Sequence, residues 1–530
     1  MKRSLGLPAI LALAAVLAIG LYFLVQRGTE GGVAVAIEKA ITDAGGSFED
    51  ISYRAGANTV LISGLVLPTE GEDEGEIRIG QLRLVDPDPE GWRRAFAPPK
   101  PGDPGGAVRL FAALDLEEVS LSNERGRTEF AGLMAREASM ALREMPNAQA
   151  GIALDAFVTG SLREELAKAA LRLSLNGLTL TDARLAPASA EPLLVDELKL
   201  VSYEAGRIDT VEIGGLRSEG RTAEGEPQTL TIGRITSRAL DVSGLVRAIG
   251  ENHLPGAGEP MPLVPVWAPQ FEELRAEGLT ATGSAGTIDI AGLTLTDTRY
   301  LGAIAVGGRL DLTGLRVPVD ATGTDGSATQ LAALGYETLL IDLGYRLAYD
   351  DSTAISRIED FSLSGAEMGT LSLAAEFGNV TFYRDIVGLT VQDLVEGGQL
   401  TRILQGVRLN GLTLTYADDS LVRRLLAEGA EDAGEPLEAY VRNYATELRT
   451  AARDYTADPF LQRAHEAAAD YIEAPGSVTL ELAPETPPSL AEIAAIVTLA
   501  PLMAARVLNL SIETQLDEND RIVPAQDMAQ

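Results

Sequence analysis

The chain has 530 residues, well above the roughly 250–300 residues at which a single hydrophobic core stops growing, so we expect several domains or an extended repeat. Its 77 acidic and 43 basic residues give a net charge of −34, which argues against a nucleic-acid-binding surface and against docking on anionic lipid head groups. The chain contains no cysteine, which excludes disulfides and thiolate metal sites.

The first feature along the chain is an uncharged apolar stretch of 21 residues, Leu5–Val25, preceded by Met1, Lys2 and Arg3. At about 1.5 Å per helical residue it spans about 31 Å, close to the roughly 30 Å of a bilayer core. A cleaved signal peptide is the alternative interpretation. We predict an uncleaved single-pass anchor over residues 1–27. Positive charge at its start places the rest of the chain across the inner membrane, in the periplasm of a Gram-negative cell.

The region after the anchor, residues 28–160, is predicted to form a first β-rich unit. It opens with a helix candidate over Val33–Ala44, which Gly45 and Gly46 would end. Strands are expected from Phe48 onward. A proline- and glycine-rich stretch, Pro98–Gly106, is predicted to be a linker or long turn.

One strand phrase, LRLSLNGLTLTDARL at Leu171–Leu185, recurs along the chain. Near copies begin at Val60, Ile288 and Val407. The central glycines of the four copies are 113, 115 and 119 residues apart in sequence, which predicts a repeated β-unit. These structural glycines are Gly64, Gly177, Gly292 and Gly411.

The apolar positions of each copy change phase across its glycine. Leu173 and Leu175 alternate with polar residues, but beyond Gly177 the apolar positions become Leu178 and Leu180. Because strand side chains alternate faces, such a change requires an extra residue at or beside the glycine, as in a β-bulge. The apolar residues before the glycine are predicted to line either a groove or a core face: Leu171, Leu173, Leu175, Ile288, Ile290, Val407 and Leu409.

Three further regions follow, with predicted boundaries at 161–273, 274–416 and 417–530. The first two are β-rich units. The last begins with helices over Ala417–Ala474, where apolar residues recur at intervals of three and four. It then contains a strand at Gly476–Leu482, a helix at Leu490–Val507 and a closing strand at Leu508–Leu516. The predicted fold class is therefore mainly β with helices (α+β).

A search for catalytic or metal-binding patterns favours no enzyme. His465 begins HEAAA, which lacks the second histidine of a zinc protease motif. Asp86, Asp88 and Glu90 have a spacing that could hold Ca²⁺, but their prolines and position after a strand favour an acidic turn. We expect no catalytic residue, no metal and no cofactor.

Two pairs of sequence-adjacent aspartates are candidates for acid–base catalysis. They are Asp350 with Asp351, and Asp418 with Asp419. Each pair lies at a strand end or helix start, where aspartate commonly caps backbone donors. The capping role is the favoured interpretation.

The stretch IEKAITDAGGSFEDISYRAGANTVLISGLVL, Ile37–Leu67, resembles the start of inner-membrane-anchored proteobacterial envelope proteins of the YdgA-like kind. The serial bent strands over residues 48–416 are more loosely similar to AsmA-like and TamB-like proteins. The latter resemblance implies a β-rich periplasmic groove used in phospholipid transport and outer-membrane upkeep. Neither likeness includes a catalytic motif, so no functional residue is carried over.

Three functions are open from the sequence. The first is lipid handling or envelope maintenance, with strands that are apolar on one face curling into a trough for acyl chains; a core covered by helices or a second sheet explains the same pattern. The second is a periplasmic binding or assembly scaffold for envelope proteins, kept soluble by its acidic exterior. The third and least favoured is a carboxylate-dependent enzyme.

Overall fold

A computed structural model of the chain shows a mainly β protein with helices at the strand ends. The structure describes the following ranges, together with a few single positions near them: residues 45–69, 75–96, 106–123, 126–142, 167–187, 191–221, 226–251, 260–283, 286–319, 326–455, 458–499 and 501–517.

The chain divides into two compact units. Unit 1 contains residues 1–261 and 265–284, and unit 2 contains residues 262–264 and 285–530. The division of the sequence into repeat regions stays a prediction.

In unit 1 each strand pairs antiparallel with the next along the chain, with β6 and β7 forming one interrupted strand and β8 and β9 another. The strands are β1 (Asp50–Arg54), β2 (Thr59–Thr69), β3 (Gly75–Val85), β4 (Ala107–Asn123), β5 (Gly126–Ala141), β6 (Leu173–Leu175), β7 (Gly177–Pro187), β8 (Leu193–Leu200), β9 (Tyr203–Glu204), β10 (Arg207–Arg221), β11 (Pro227–Asp241) and β12 (Glu273–Gly283). Its helices are α1 (Pro89–Phe96) and α2 (Ser243–Gly250).

Unit 2 is a second antiparallel meander with longer helical insertions. Its strands are β13 (Gly286–Leu301), β14 (Ile304–Pro318), β15 (Thr338–Asp350), β16 (Ile355–Gly365), β17 (Gly369–Gly378), β18 (Arg408–Asp418), β19 (Ser477–Leu482) and β20 (Leu510–Gln515). Its helices are α3 (Gly326–Ala333), α4 (Val391–Glu396), α5 (Gln399–Gly406), α6 (Leu421–Ala433), α7 (Leu437–Asp454), α8 (Pro459–Glu473), α9 (Leu490–Leu499) and α10 (Pro501–Val507).

A continuous row of unpaired residues, which we call the inserted row, crosses the sheet of unit 1. Each strand from β2 to β12, with the interrupted strands counted once, contributes one residue that lacks a partner, and the pairing register is the same on both sides of it. Backbone with positive φ occurs on alternate strands of the row, at Gly64, Glu118, Asp182, Gly215 and Gly278. The row is Gly64, Gly80, Glu118, Ala131, Asp182, Asp196, Gly215, Gly233 and Gly278.

The inserted row reverses the side-chain phase in every strand at once. In β3, Ile77 and Ile79 are buried before the row and Leu82 and Leu84 after it. Since neighbouring strands make the same correction, the apolar face stays on the core side without a change of register.

The core of unit 1 is closed by residues from outside the sheet. Trp92 of α1 is 1% exposed, and its Nε1 donates a hydrogen bond to the Leu110 carbonyl oxygen at 2.7 Å. Ala170, which precedes β6, is 7% exposed, and its carbonyl oxygen accepts from the hydroxyl of the buried Tyr203 of β9 at 2.8 Å. Ile37, in the helix predicted over Val33–Ala44, is helical where the structure describes it and also lies in this core.

From β14 onward, unit 2 absorbs extra residues differently. Between β13 and β14 the register is the same on both sides of the unpaired Ala291 and Gly314, as in the inserted row. Successive strand pairs from β14 to β18 each contain their own register shift. In β18, Gly411 pairs with Glu376 and Leu409 pairs with Phe377 of β17. Asn410, between them, is therefore skipped in the pairing. The inserted residues therefore form separate bulges and not one shared row.

The predicted helical region of unit 2 is present as α6, α7 and α8. α7 buries Val441 and Ala445 completely, and Arg449 on the same helix bridges to Glu473 of α8 at 2.7 Å. Asp458 caps α8 by accepting from the Phe460 and Leu461 amides, and Pro459 follows it. The single helix predicted over Leu490–Val507 is wrong in one respect, because Pro501 begins a separate helix, α10.

Candidate functional site

The candidate site is the apolar face of the unit 2 sheet, which we call the open face. Residues that are directly opposite on paired strands share a face, as do residues two apart on one strand. One such row runs from Leu312 through Leu343 and Leu363 to Leu371. A second runs from Leu373 through Leu414 and Leu480 to Ile512, and a third joins Leu412, Leu482 and Leu510. The open face consists of Leu312, Leu343, Leu363, Leu371, Leu373, Leu412, Leu414, Leu480, Leu482, Leu510 and Ile512.

Every side chain of the open face remains in contact with solvent. Ten of them are half-buried and Leu363 is 37% exposed. In strands β2 to β8 of unit 1 the corresponding positions are closed, with Leu133 at 0% and Leu180 at 2%, whereas the row Leu216, Ile232 and Leu279 on β10 to β12 is half-buried. A contiguous apolar surface that solvent reaches is a candidate interaction or ligand-binding site.

The opposite face of the same sheet is polar. Ser362 pairs with Ser372, which pairs with Thr415, and the hydroxyls of Thr415 and Thr479 lie 3.0 Å apart. Unit 2 therefore has an amphipathic sheet whose hydroxyl-bearing side suits water and whose leucine side does not.

A carboxylate marks the bulge beside Gly411. Glu376 accepts from Asn410 Nδ2 at 2.9 Å and from Arg357 Nε at 2.7 Å. The Asn410 hydrogen bond, followed by that of Arg357, lowers the pKa of Glu376. The group is thus held as a carboxylate that fixes the bulge.

The residues singled out from the repeated phrase have different environments. Leu173 and Leu175 are 8% and 3% exposed in the core of unit 1, and Leu171 packs against that core. In unit 2, Val407 and Leu409 are also buried, whereas Ile290 is half-buried and Ile288 is 42% exposed.

The four glycines lie where the side-chain phase changes, although only one has the strained backbone. Gly64 has φ +60° and belongs to the inserted row. In the other three copies, the strand pairing is interrupted at the residue just before the glycine, which is Asn176, Ala291 or Asn410. Gly177, Gly292 and Gly411 themselves have no positive φ.

Sequence reasoning missed α4 and α5, which carry exposed apolar residues. Val391 and Val395 of α4 are 60% and 58% exposed. The signal was present as a capping box, since the Thr390 hydroxyl accepts from the Asp393 amide and Asp393 accepts from the Thr390 amide. The capping box lies inside residues 274–416, for which the alternation pattern predicts strands and not helices.

In the candidate carboxylate pairs, Asp350, Asp418 and Asp419 accept from backbone amides, as the favoured interpretation predicts, whereas Asp351 accepts from the Arg384 side chain. Asp350 accepts from the amide and hydroxyl of Ser352 and from Thr353, and the Ser352 hydrogen bond is the largest cause of its lowered pKa. Asp418 accepts from the Val422 amide at the start of α6.

The acidic turn and the histidines also make structural contacts. Asp88 accepts from the Gly91 amide at the start of α1. Asp86 accepts from Asn58 and pairs with Arg109, and these contacts, Asn58 first, lower its pKa. His465 stacks on Tyr455, with 5.0 Å between ring centroids.

Two negative findings apply to the described part of the chain. It contains no group of three or more histidine, aspartate or glutamate side chains placed to hold a metal ion. Among its helices, none combines the length and apolar character needed to cross a membrane. The predicted anchor, Leu5–Val25, lies outside the described residues.

Comparison with known proteins gives one partial match. A family model described as an uncharacterized protein matches residues 362–515, which extend from within β16 to the end of β20. Comparison with curated proteins gives no match. The matched segment contains much of the open face.

Proposed function

We propose that this protein is a membrane-anchored envelope protein that handles lipids, with the open face of unit 2 as the surface that contacts acyl chains. The anchor is Leu5–Val25 in the inner membrane, and both units lie in the periplasm. The function is non-catalytic. The observation that carries the proposal is the continuous, solvent-accessible surface of leucines and one isoleucine across the seven strands β14 to β20.

The dimensions of the open face suit acyl chains. Strands lie about 4.8 Å apart, so the seven strands of the face measure roughly 29 Å from the first to the last. One leaflet of a bilayer is about 15 Å of hydrocarbon. The face therefore offers enough apolar length for a lipid tail that lies across the strands, and burial of its leucines would gain about 25 cal/mol per Å² of covered apolar surface.

The chemistry of the open face favours a hydrocarbon ligand over a polar one. Its members are leucine and isoleucine, which provide no hydrogen-bond donor or acceptor in their side chains. Hydroxyl and carboxylate groups of the sheet, including Thr415 and Glu376, are on residues adjacent to the open-face positions and alternate with them. The resemblance to lipid-handling envelope proteins supports the same proposal.

The test uses a photo-crosslinking amino acid in the full chain, expressed in a bacterial envelope. It is placed at Leu414, on the open face, or at Thr413, the exposed neighbour that alternates to the opposite face. We expect phospholipid adducts at position 414 and few or none at 413. A second open-face position, Leu343, should behave as Leu414 does.

Two results would overturn the proposal. Equal lipid labelling at positions 413 and 414 would show that the adducts reflect general proximity to membrane. Protein adducts at 414 without lipid would assign the face to an assembly scaffold for other envelope proteins.

A further inference from the structure

Four short helices of unit 2, which we call the rim helices, expose large apolar side chains. They are α4, α5, α9 and α10, and they form a continuous group because α4 contacts α5, α5 contacts α9, and α9 contacts α10. Leu499 at the end of α9 is 82% exposed, the highest exposure of any large apolar residue in the described part of the chain. The exposed members are Val391, Val395, Leu400, Leu404, Val497, Leu499, Met503 and Val507.

The spacing of these side chains gives each helix an apolar surface. Val391 and Val395, Leu400 and Leu404, and Met503 and Val507 are each four residues apart, so each pair lies on one side of its helix. Short amphipathic helices of this kind lie in the plane of a membrane interface.

The charge of the rim helices suits a neutral lipid surface. They contain three acidic residues, Asp393, Glu396 and Glu492, and two basic residues, Arg402 and Arg506, for a net charge of 2 − 3 = −1. Two of the acids are engaged within the protein. Asp393 closes the α4 capping box, and Glu492 pairs with Arg408 at 3.1 Å. This leaves a nearly neutral apolar patch in a chain of net charge −34.

The rim helices connect directly to the open face. α5 ends at Gly406, and β18 begins two residues later with Arg408. α10 ends at Val507, shortly before β20 begins at Leu510. At this strand end, Leu412, Leu482 and Leu510 are cross-strand neighbours on the open face. An apolar path therefore runs from the helices onto the sheet of unit 2.

We infer that the rim helices dock in the interface of a zwitterionic lipid bilayer and bring acyl chains to the end of the open face. The inference rests on the proposed lipid function and extends it, because it names the surface through which lipid arrives. An anionic membrane is disfavoured by the lack of a basic cluster on these helices.

The experiment uses the absence of cysteine from the chain, which permits a single label. An environment-sensitive fluorophore is attached to Leu499→Cys or, as the control, to Ala427→Cys, an exposed helical position on α6. The full chain is reconstituted in phosphatidylcholine vesicles with or without bromine on the acyl chains. We expect bromolipid to quench the label at position 499 severalfold more than the label at 427.

Equal quenching of the two labels would overturn the docking. So would energy transfer between labels at position 499 on separate chains with no quenching by bromolipid, since a second copy would then cover the helices. The crosslinking test at Leu414 separates the two ideas. Quenching at 499 without lipid adducts at 414 supports docking and rejects the lipid-holding face, whereas adducts without quenching reject docking alone.

Discussion

Unit 1 and unit 2 share an antiparallel meander and the same leucine-rich strand phrase, yet only unit 1 contains a run of strands, β2 to β8, whose apolar face is closed. Leu114 and Leu133 of unit 1 are 1% and 0% exposed, whereas Leu343 and Leu414 of unit 2 remain half-buried. In unit 1, side chains from outside the sheet, including Trp92 and Val246, join the core. Alternation of apolar and polar residues therefore specifies an amphipathic sheet. The connecting segments decide whether its apolar side becomes a core or an accessible surface.

The two units also differ in how they place extra residues. Unit 1 aligns one insertion per strand in the inserted row, so the whole sheet reverses phase together. In unit 2 the register shifts lie between individual strand pairs. An aligned row reverses the side-chain phase of neighbouring strands together, whereas separate bulges change strand direction locally.

The largest difference between the units is expected from core truncation. Leu133→Ala should cost about 2–5 kcal/mol of local stability, because it opens a cavity in a closed core. Leu343→Ala should cost about 1 kcal/mol or less, because the side chain is already in contact with solvent. Hydrogen–deuterium exchange resolved to β5 and β15 measures each opening free energy separately. Equal costs would show that the open face is covered in solution.

A smaller effect tests the inserted row. Gly215 has φ +62°, and a Cβ there would overlap the Asp196 side chain, so Gly215→Ala should cost about 1–3 kcal/mol. Gly177→Ala is the matched control, since Gly177 lacks a positive φ and its nearest neighbour, the Leu200 carbonyl oxygen, is 3.7 Å away. The control should be neutral or stabilise by up to about 1 kcal/mol. Thermal unfolding of both variants decides, and similar losses would contradict a special role for the row.

The sequence predicted the β-rich class and the places where strands change phase, because both depend on local alternation. The break between Leu116 and Val119 in β4 has the same signature, but no glycine marks it, and Glu118 adopts the positive φ instead. That row becomes visible only when strands are paired. Similarly, IG at Ile79–Gly80 and at Ile232–Gly233 repeats in sequence, and the structure places both glycines in the inserted row.

The openness of unit 2 could not be predicted from the repeated phrase. Leu180 in unit 1 and Leu414 in unit 2 occupy the same position of closely similar copies, yet Leu180 is 2% exposed and Leu414 is half-buried. Their exposure depends on which distant segments pack above them. The helices after Tyr416 were predictable from their period, and Asp458 with Pro459 marks the start of α8. The exposed side of the rim helices depends on tertiary contacts that periodicity does not contain.

The smallest expected effect concerns pH at the bulge beside Gly411. Glu376 has a pKa below the ordinary glutamate value because it accepts from Asn410 and Arg357. A lowered folded-state pKa means that this stabilisation is present above about pH 4.3 and is lost as the pH falls through the folded value.

Exchange in β17 and β18 should therefore increase on acidification below pH 4.3 in the native chain, and Glu376→Gln should flatten that dependence while Asn410→Ala weakens it. Because Glu376 is partly exposed to solvent, the change is small. Arg357→Gln is a useful comparison, since the Asn410 hydrogen bond is the larger cause of the shift and should preserve most of the dependence. A pH profile unchanged by all three substitutions would mean that backbone pairing alone maintains the bulge. The separate bulges of unit 2 would then need no side-chain clamp, and the contrast with the glycine-rich inserted row of unit 1 would rest on backbone geometry only.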